Sequence, residues 1–261
     1  MPKETPKLFN LPNLLTSTNG ICGVLSIVMA FFYRLEISCL LVVLALMFDF
    51  LDGFIARRLQ LSSAIGKDLD SLADMISFGI APAILLFLCI EIQINGSMEA
   101  SFQKFHALSF QKIEDFLCFF PLSISFCSMF RLAKFNHDER QSERFIGLPT
   151  PANALFFLFF PLMIWQTNSM ETPIQGITLF FLNPWFMALV SFFFPLLLLA
   201  EWPLLSLKFK SFAWAENRLR FLLLGISLIT ILLMHIYAIP IIILLYLLLS
   251  LFEPLITPKT P

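Results

Sequence analysis

What this chain mostly lacks is charge. Only 13% of its 261 residues are Asp, Glu, Lys or Arg, about half of the roughly 25% usual in soluble domains. With 58% hydrophobic residues and a mean hydropathy of +0.84, an ordinary soluble domain is excluded and a polytopic membrane protein is indicated. The net charge of −1 leaves no basic excess for nucleic-acid binding. The three histidines (His106, His137, His235) are scattered, with no zinc-like spacing. Cys22, Cys39, Cys89, Cys118 and Cys127 lie in apolar runs without C-x-x-C spacing and read as small buried hydrophobes. There is no internal repeat, low-complexity linker or soluble domain. The opening MPKETPKLFNLPNLL places two lysines, two prolines and a glutamate ahead of any apolar run, which reads as a short cytosolic lead rather than a cleavable signal.

What is abundant is apolar length. Eight windows of spanning character fall near 17–33, 36–56, 72–94, 115–134, 150–167, 184–206, 219–237 and 239–253. The last two are separated only by Ala238–Pro240, so one kinked helix, and seven spans, is an alternative. With eight spans, of the 17 lysines and arginines only Arg34, Lys104 and Lys112 fall on the far side. The positive-inside bias then puts both termini in the cytosol. The expected fold is an all-α polytopic helix bundle, a single integral membrane domain over 1–261. The longest polar connection, 95–113, has room for a short surface helix, and its Asn95-Gly96-Ser97 matches a glycosylation sequon.

Against this background four aspartates stand out in DFLDGFIARRLQLSSAIGKDLDSLAD: Asp49, Asp52, Asp70 and Asp74. A carboxylate at membrane depth costs roughly 2.5–3.5 kcal/mol, so four together require a partner. At 100° per residue Asp49, Asp52, Gly53, Ala56 and Arg57 share one helix face, and Asp70 and Asp74 lie one turn apart. Two helices facing each other would converge the carboxylates on a pocket. Gly53 and Ala56 allow close approach, and Arg57 offers a planar fork for phosphate oxygens. One or two divalent cations, Mg²⁺ or Mn²⁺, answer the repulsion and would clamp a diphosphate. Taken singly, each aspartate could instead cap a helix or pair with Arg57, Arg58 or Lys67.

The spacing Asp-x-x-Asp-Gly-x-x-Ala-Arg-x8-Gly-x3-Asp-x3-Asp, eight positions over residues 49–74, resembles the signature of the CDP-alcohol phosphatidyltransferases. The resemblance implies a six-helix catalytic core within the eight spans, commonly a homodimer. It implies a CDP-linked lipid donor, an alcohol acceptor and CMP as leaving group. It makes Asp49, Asp52, Asp70 and Asp74 the ligands of two metal ions, and Asp74 also the base that deprotonates the acceptor. Gly53, Arg57 and, more weakly, Ser63 would contact the donor CDP-diacylglycerol. Asn13 and Thr16, in the PN-x-x-T lead into the first span, would lie near the cytidine.

Further stretches are similar to the membrane-integral phosphatidylserine synthase branch of that family: PNLLTSTNGICG (12–23), MISFGIAPA (75–83), RLAKFN (131–136) and FIGLPTPA (145–152). The likeness covers about residues 10–155 and implies L-serine as acceptor, with Arg131, Lys134, Phe135 and Asn136 as serine-binding candidates. Lys134 departs from the branch, which has a second arginine there. Lysine keeps the charge without the bidentate fork. The run HDERQSER (137–144) reads as a solvated loop. Two alternatives stand beside this reading: a sister enzyme using glycerol 3-phosphate or an inositol phosphate, and a cation transporter. Carboxylates clustered at one membrane face, with no matching second half, speak against the transporter. The compact length and the branch resembled place the protein in a prokaryotic inner membrane.

Overall fold

Asn10 opens the first helix. Its side chain accepts from the Asn13 amide at 2.8 Å, and Pro12 sits in the first turn, where no amide donor is missed. In the computed structural model, described over residues 9–61, 63–97, 99–101, 103, 112–138, 145–169, 176–205 and 214–256, helix α1 (Leu11–Phe31) turns at Tyr33 (φ 55) into α2 (Leu35–Leu59). Two buried serines lock this antiparallel hairpin. Ser38 Oγ donates to the Ser26 carbonyl at 2.7 Å, and Ser26 Oγ to the Ser38 carbonyl at 3.0 Å. Helix α2 ends on Arg57 and Arg58, cations suited to a helix C-terminus, and on Gln60 in the left-handed region. Ser63 then caps α3 (Ala64–Asp74), accepting from Gly66 N at 3.0 Å.

Helix α3 passes without a break through one π-helical stretch, Met75–Ile80, into α4 (Ala81–Asn95). A 3-10 turn (Ile113–Phe119) leads to α5 (Leu122–His137). There follow β1 (Phe145–Ile146), α6 (Thr150–Phe157), α7 (Phe159–Ser169), α8 (Ile177–Phe181) and α9 (Pro184–Phe193), the last extended by 3-10 residues Phe194–Leu198. Strand β2 (Pro203–Leu204) pairs antiparallel with β1, Phe145 opposite Leu204 and Ile146 opposite Pro203. Helix α10 (Trp214–Met234), a 3-10 turn (His235–Tyr237) and α11 (Ala238–Ile256) complete the described chain.

The all-α polytopic bundle expected from composition is what forms. Among the described residues, five helical runs are long and apolar enough to cross a membrane: Leu11–Phe31, Leu35–Leu59, Ala64–Asn95, Ile113–His137 and Asn217–Phe252. The expected windows near 150–167 and 184–206 are carried by shorter pieces, because α6 and α7 meet at a break at Leu158 and α9 tightens after Phe193. The third run begins at Ala64, eight residues ahead of the apolar window, because a polar amphipathic turn precedes the apolar stretch. The last run breaks at His235 (φ 48), five residues before Pro240. Its halves fold back on each other, bringing Leu223 and Tyr246 into one small core. It is a hairpin of two helices rather than one kinked rod. Across an apolar 18-residue stretch of each, the run Ala64–Asn95 is 72% buried and the last hairpin only 6%: the first is the central element, and the second faces outward. Of the charge asymmetry, Lys3, Lys7, Lys104, Arg140, Arg144, Lys208, Lys210 and Lys259 lie outside the described residues, as do His106, residues 139–144 and most of the expected surface helix in 95–113.

Close approach of α1 to the third run depends on glycine. A Cβ on Gly23 would stand 2.8 Å from Ser77 Cα and 2.9 Å from Ser77 N, backbone that cannot swing aside, whereas one on Gly20 would meet Ala73 Cβ at 3.4 Å. Gly23→Ala is therefore expected to destabilise the protein by about 1–3 kcal/mol. Gly20→Ala should cost less. Gly225→Ala, with open space around it, should be neutral or slightly stabilising through helix propensity. Thermal unfolding in detergent followed by circular dichroism reads this ranking, and a Gly23→Ala protein as stable as Gly225→Ala would refute it.

Candidate functional site

The α1–α2 hairpin and the tight turn into α3 bring three helix ends to one side of the bundle. Asp49 from α2 and Asp70 and Asp74 from α3 present carboxylate oxygens that all lie within 4.8 Å of one another. Asp52 stands beside them, close enough to repel Asp49 and Asp70, but its Oδ2 accepts a hydrogen bond from the Thr16 hydroxyl. Of the four aspartates expected to converge, the structure gathers three into one cluster and ties the fourth to α1.

Asp74, at the junction with the π-helical stretch, is buried and accepts from Asn19 Nδ2 at 3.0 Å. Ser77 Oγ in turn donates to the Asn19 carbonyl at 2.9 Å. A π-helical widening beside a functional carboxylate is a recurrent arrangement. Sequence reasoning did not single out Asn19. Its signal was a lone amide in an apolar span, one turn beyond Thr16.

The donor set fits a hard divalent cation. Asp70 Oδ1 is buried with no hydrogen-bond partner, and among the described residues no lysine or arginine is salt-bridged to the three carboxylates. An unpartnered buried carboxylate oxygen among like charges is what a cation would satisfy.

Next to the cluster opens a cavity of about 440 Å³. Asp70 and Asp52 form its inner wall, and Asn13, Thr16, Gly53, Ala56, Arg57, Ser63, Gly66 and Lys67 line the rest. The glycines act here through what they leave out. A Cβ on Gly66 would sit 3.0 Å from Asn13 Oδ1, and one on Gly53 would meet the Arg57 guanidinium at 3.6 Å. All five residues expected at the donor, Asn13, Thr16, Gly53, Arg57 and Ser63, therefore surround one space.

The residues expected at the acceptor diverge. Arg131 is buried, close enough to Asp74 to feel the charge of that carboxylate. Its Nε donates to the Leu148 carbonyl at 3.3 Å, and its guanidinium lies 4.7 Å over the Phe135 ring. Lys134 turns outward to Glu201 at 2.8 Å, in an exposed pair of little energetic weight. Asn136 ties α5 to α3: its Nδ2 donates to Ser71 Oγ at 2.8 Å, and its carbonyl accepts from Lys67 Nζ at 2.7 Å.

Comparison with known proteins identifies the family. The CDP-alcohol phosphatidyltransferase profile matches residues 9–252. The chain is 33% identical to the CDP-diacylglycerol–serine O-phosphatidyltransferase of Bacillus subtilis, over 54% of this chain and 69% of that one. It is 35% identical to the archaetidylserine synthase of Methanothermobacter thermautotrophicus, over 59% and 58%. To the CDP-diacylglycerol–serine O-phosphatidyltransferase of Helicobacter pylori it is 33% identical, over 57% and 55%. The matched stretch thus spans little more than half of the second and third relatives.

The cluster geometry predicts unequal ligands. In a Mn²⁺ titration of the purified protein followed by electron paramagnetic resonance, Asp70→Asn is expected to weaken binding at least tenfold. Asp52→Asn, whose carboxylate is held by Thr16, should weaken it markedly less. Equal losses would mean that the fourth aspartate is a full ligand of the same ion.

Proposed function

Because this chain belongs to the CDP-alcohol phosphatidyltransferase family, we propose that it transfers the phosphatidyl group of CDP-diacylglycerol to the hydroxyl of L-serine, giving phosphatidylserine and CMP. The observation that carries the reading is the shared wall: Asp70 belongs both to the carboxylate cluster and to the cavity. A diphosphate placed in that cavity meets the cluster at one end and Arg57 at the other. The names of the relatives share serine and differ in the lipid, so the acceptor is the better supported half.

Asn13, Thr16, Gly53, Arg57 and Ser63 surround the cytidine and diphosphate, while the acyl tails remain in the bilayer. Asp49, Asp70 and Asp74 would hold Mg²⁺ or Mn²⁺, with Asp52 available to a second ion, and a cation bound there would supply positive charge against that of the diphosphate. The serine hydroxyl oxygen bonds to the lipid-side phosphorus as the phosphorus–oxygen bond to CMP breaks, and the hydroxyl proton passes to Asp74. Asn19 fixes the plane of that carboxylate through Oδ1. Arg131 makes one hydrogen bond among the described residues, from Nε, so its terminal nitrogens are available to the serine carboxylate. Phe135 supports the guanidinium from below. Lys134 and Asn136 act at the margin, one through Glu201 and the other by tying α5 to α3. The positive-inside bias supports a site facing the cytosol of a prokaryotic inner membrane. The resemblance alone supports a homodimer.

Purified protein in liposomes with CDP-diacylglycerol and labelled L-serine tests this directly. The expected result is phosphatidylserine and CMP in equal amounts, only with Mn²⁺ or Mg²⁺, and a fall of about three orders of magnitude or more in Asp74→Asn. CMP release with glycerol 3-phosphate or an inositol phosphate, and none with serine, would retain the metal site and overturn the acceptor.

A further inference from the structure

Among the described residues Arg131 donates one hydrogen bond, to a segment that is itself held in place by the C-terminal hairpin. Leu148, whose carbonyl accepts from Arg131 Nε, donates its amide to the Leu197 carbonyl at 2.9 Å, and Gly147 N donates to the Trp202 carbonyl at 2.9 Å. Just upstream, Phe145 and Ile146 pair with Leu204 and Pro203. Leu205, the next residue, is gripped by α11: its amide donates to Ser250 Oγ at 3.0 Å and its carbonyl accepts from the Tyr246 hydroxyl at 3.1 Å. Leu148 also packs with Leu198 and with Cys127, one turn before Arg131 on α5.

Two features show how narrowly the segment is set. Gly147 has φ +75, and a Cβ there would stand 2.7 Å from the Ala200 carbonyl oxygen and 2.8 Å from that of Leu198. Tyr246 and Ser250 are buried on a hairpin most of whose residues are not. Polar groups buried in an apolar helix persist where they are hydrogen-bonded, and both of these bond to the backbone of Leu205.

We propose that the C-terminal hairpin sets the orientation of Arg131 through a strap at residues 145–149, with Gly147, Tyr246 and Ser250 as positioning residues for the anionic group of the acceptor. This rests on the reading of Arg131 as the acceptor's cation. The strap touches neither the donor cavity nor the carboxylate cluster. Its disturbance is therefore felt in acceptor affinity, not in donor affinity or the chemical step.

The experiment is steady-state kinetics on Gly147→Ala, Tyr246→Phe and Ser250→Ala, with Ser250→Thr as the variant that keeps the hydroxyl. For Gly147→Ala the KM for serine is expected to rise at least tenfold, with the KM for CDP-diacylglycerol within about twofold and kcat within about threefold of the parent protein. Tyr246→Phe and Ser250→Ala should each raise the serine KM about threefold, and Ser250→Thr should restore it. Turnover of 2-aminoethanol, which has no carboxylate for Arg131, should not change. If Gly147→Ala does not fold, the two hydroxyl variants decide the matter. A fall in kcat with serine KM unmoved, or an equal rise in both KM values, would overturn the proposal. If the parent protein turns over a phosphorylated acceptor and not serine, the serine reading fails, and the same split measured on that acceptor still decides the role of the strap.

Discussion

Mutual repulsion among Asp49, Asp70 and Asp74 is the constraint around which the rest is arranged. Within 4.8 Å, two carboxylates at an effective dielectric of about 20 repel by roughly 3 kcal/mol. Three such pairs approach 10 kcal/mol, comparable to the whole folding stability of many proteins. A cluster of this kind needs a backbone that is held rigidly, and a bound cation or a shared proton would relieve the charge. The central burial of the Ala64–Asn95 run supplies the rigidity, because α3 cannot yield without disturbing the core built around Phe78, Leu85, Leu86 and Ile90.

Helix α1 converts that rigidity into registration. One face of it carries Asn13, Thr16, Asn19, Gly20 and Gly23 at steps of three and four. They meet Gly66, Asp52, Asp74, Ala73 and Ser77 in turn. Apolar side chains give little association between helices in lipid, so small residues and interhelical hydrogen bonds fix the approach. Each polar member of this face also lines the cavity or bonds to an aspartate beside it, so the contacts that pack α1 are the ones that shape the candidate site.

The aspartate pattern was legible in the sequence because carboxylates are rare in a chain of this composition, and helical spacing alone places them on shared faces. The choices made by individual side chains were not. That Asp52 turns to Thr16, Lys134 to Glu201 and Asn136 to Ser71 depends on which helices meet at which depth, and no periodicity encodes it. The same limit explains the spans. Hydropathy finds apolar length, so it located the last hairpin. It could not see that a left-handed His235, rather than Pro240, makes the turn, since proline is tolerated in a helix's first turn.

The C-terminal third reads as bare hydrophobicity, yet its contribution is visible once the fold is known. Strands of two residues are too short to show alternation, and Tyr246 and Ser250, one turn apart, are the only polar side chains between Ile241 and Phe252. In a helix that mostly faces lipid, a tyrosine and a serine gain nothing from burial by themselves. Their burial makes sense only as part of what they bind, which is the backbone of Leu205 and, through the two short strands, the strap that receives Arg131. The carboxylate cluster and Arg131 are thus supported from opposite ends of the chain, α1 bracing one and α11 the other, so a substitution in the last hairpin reaches Arg131 without passing through the carboxylates.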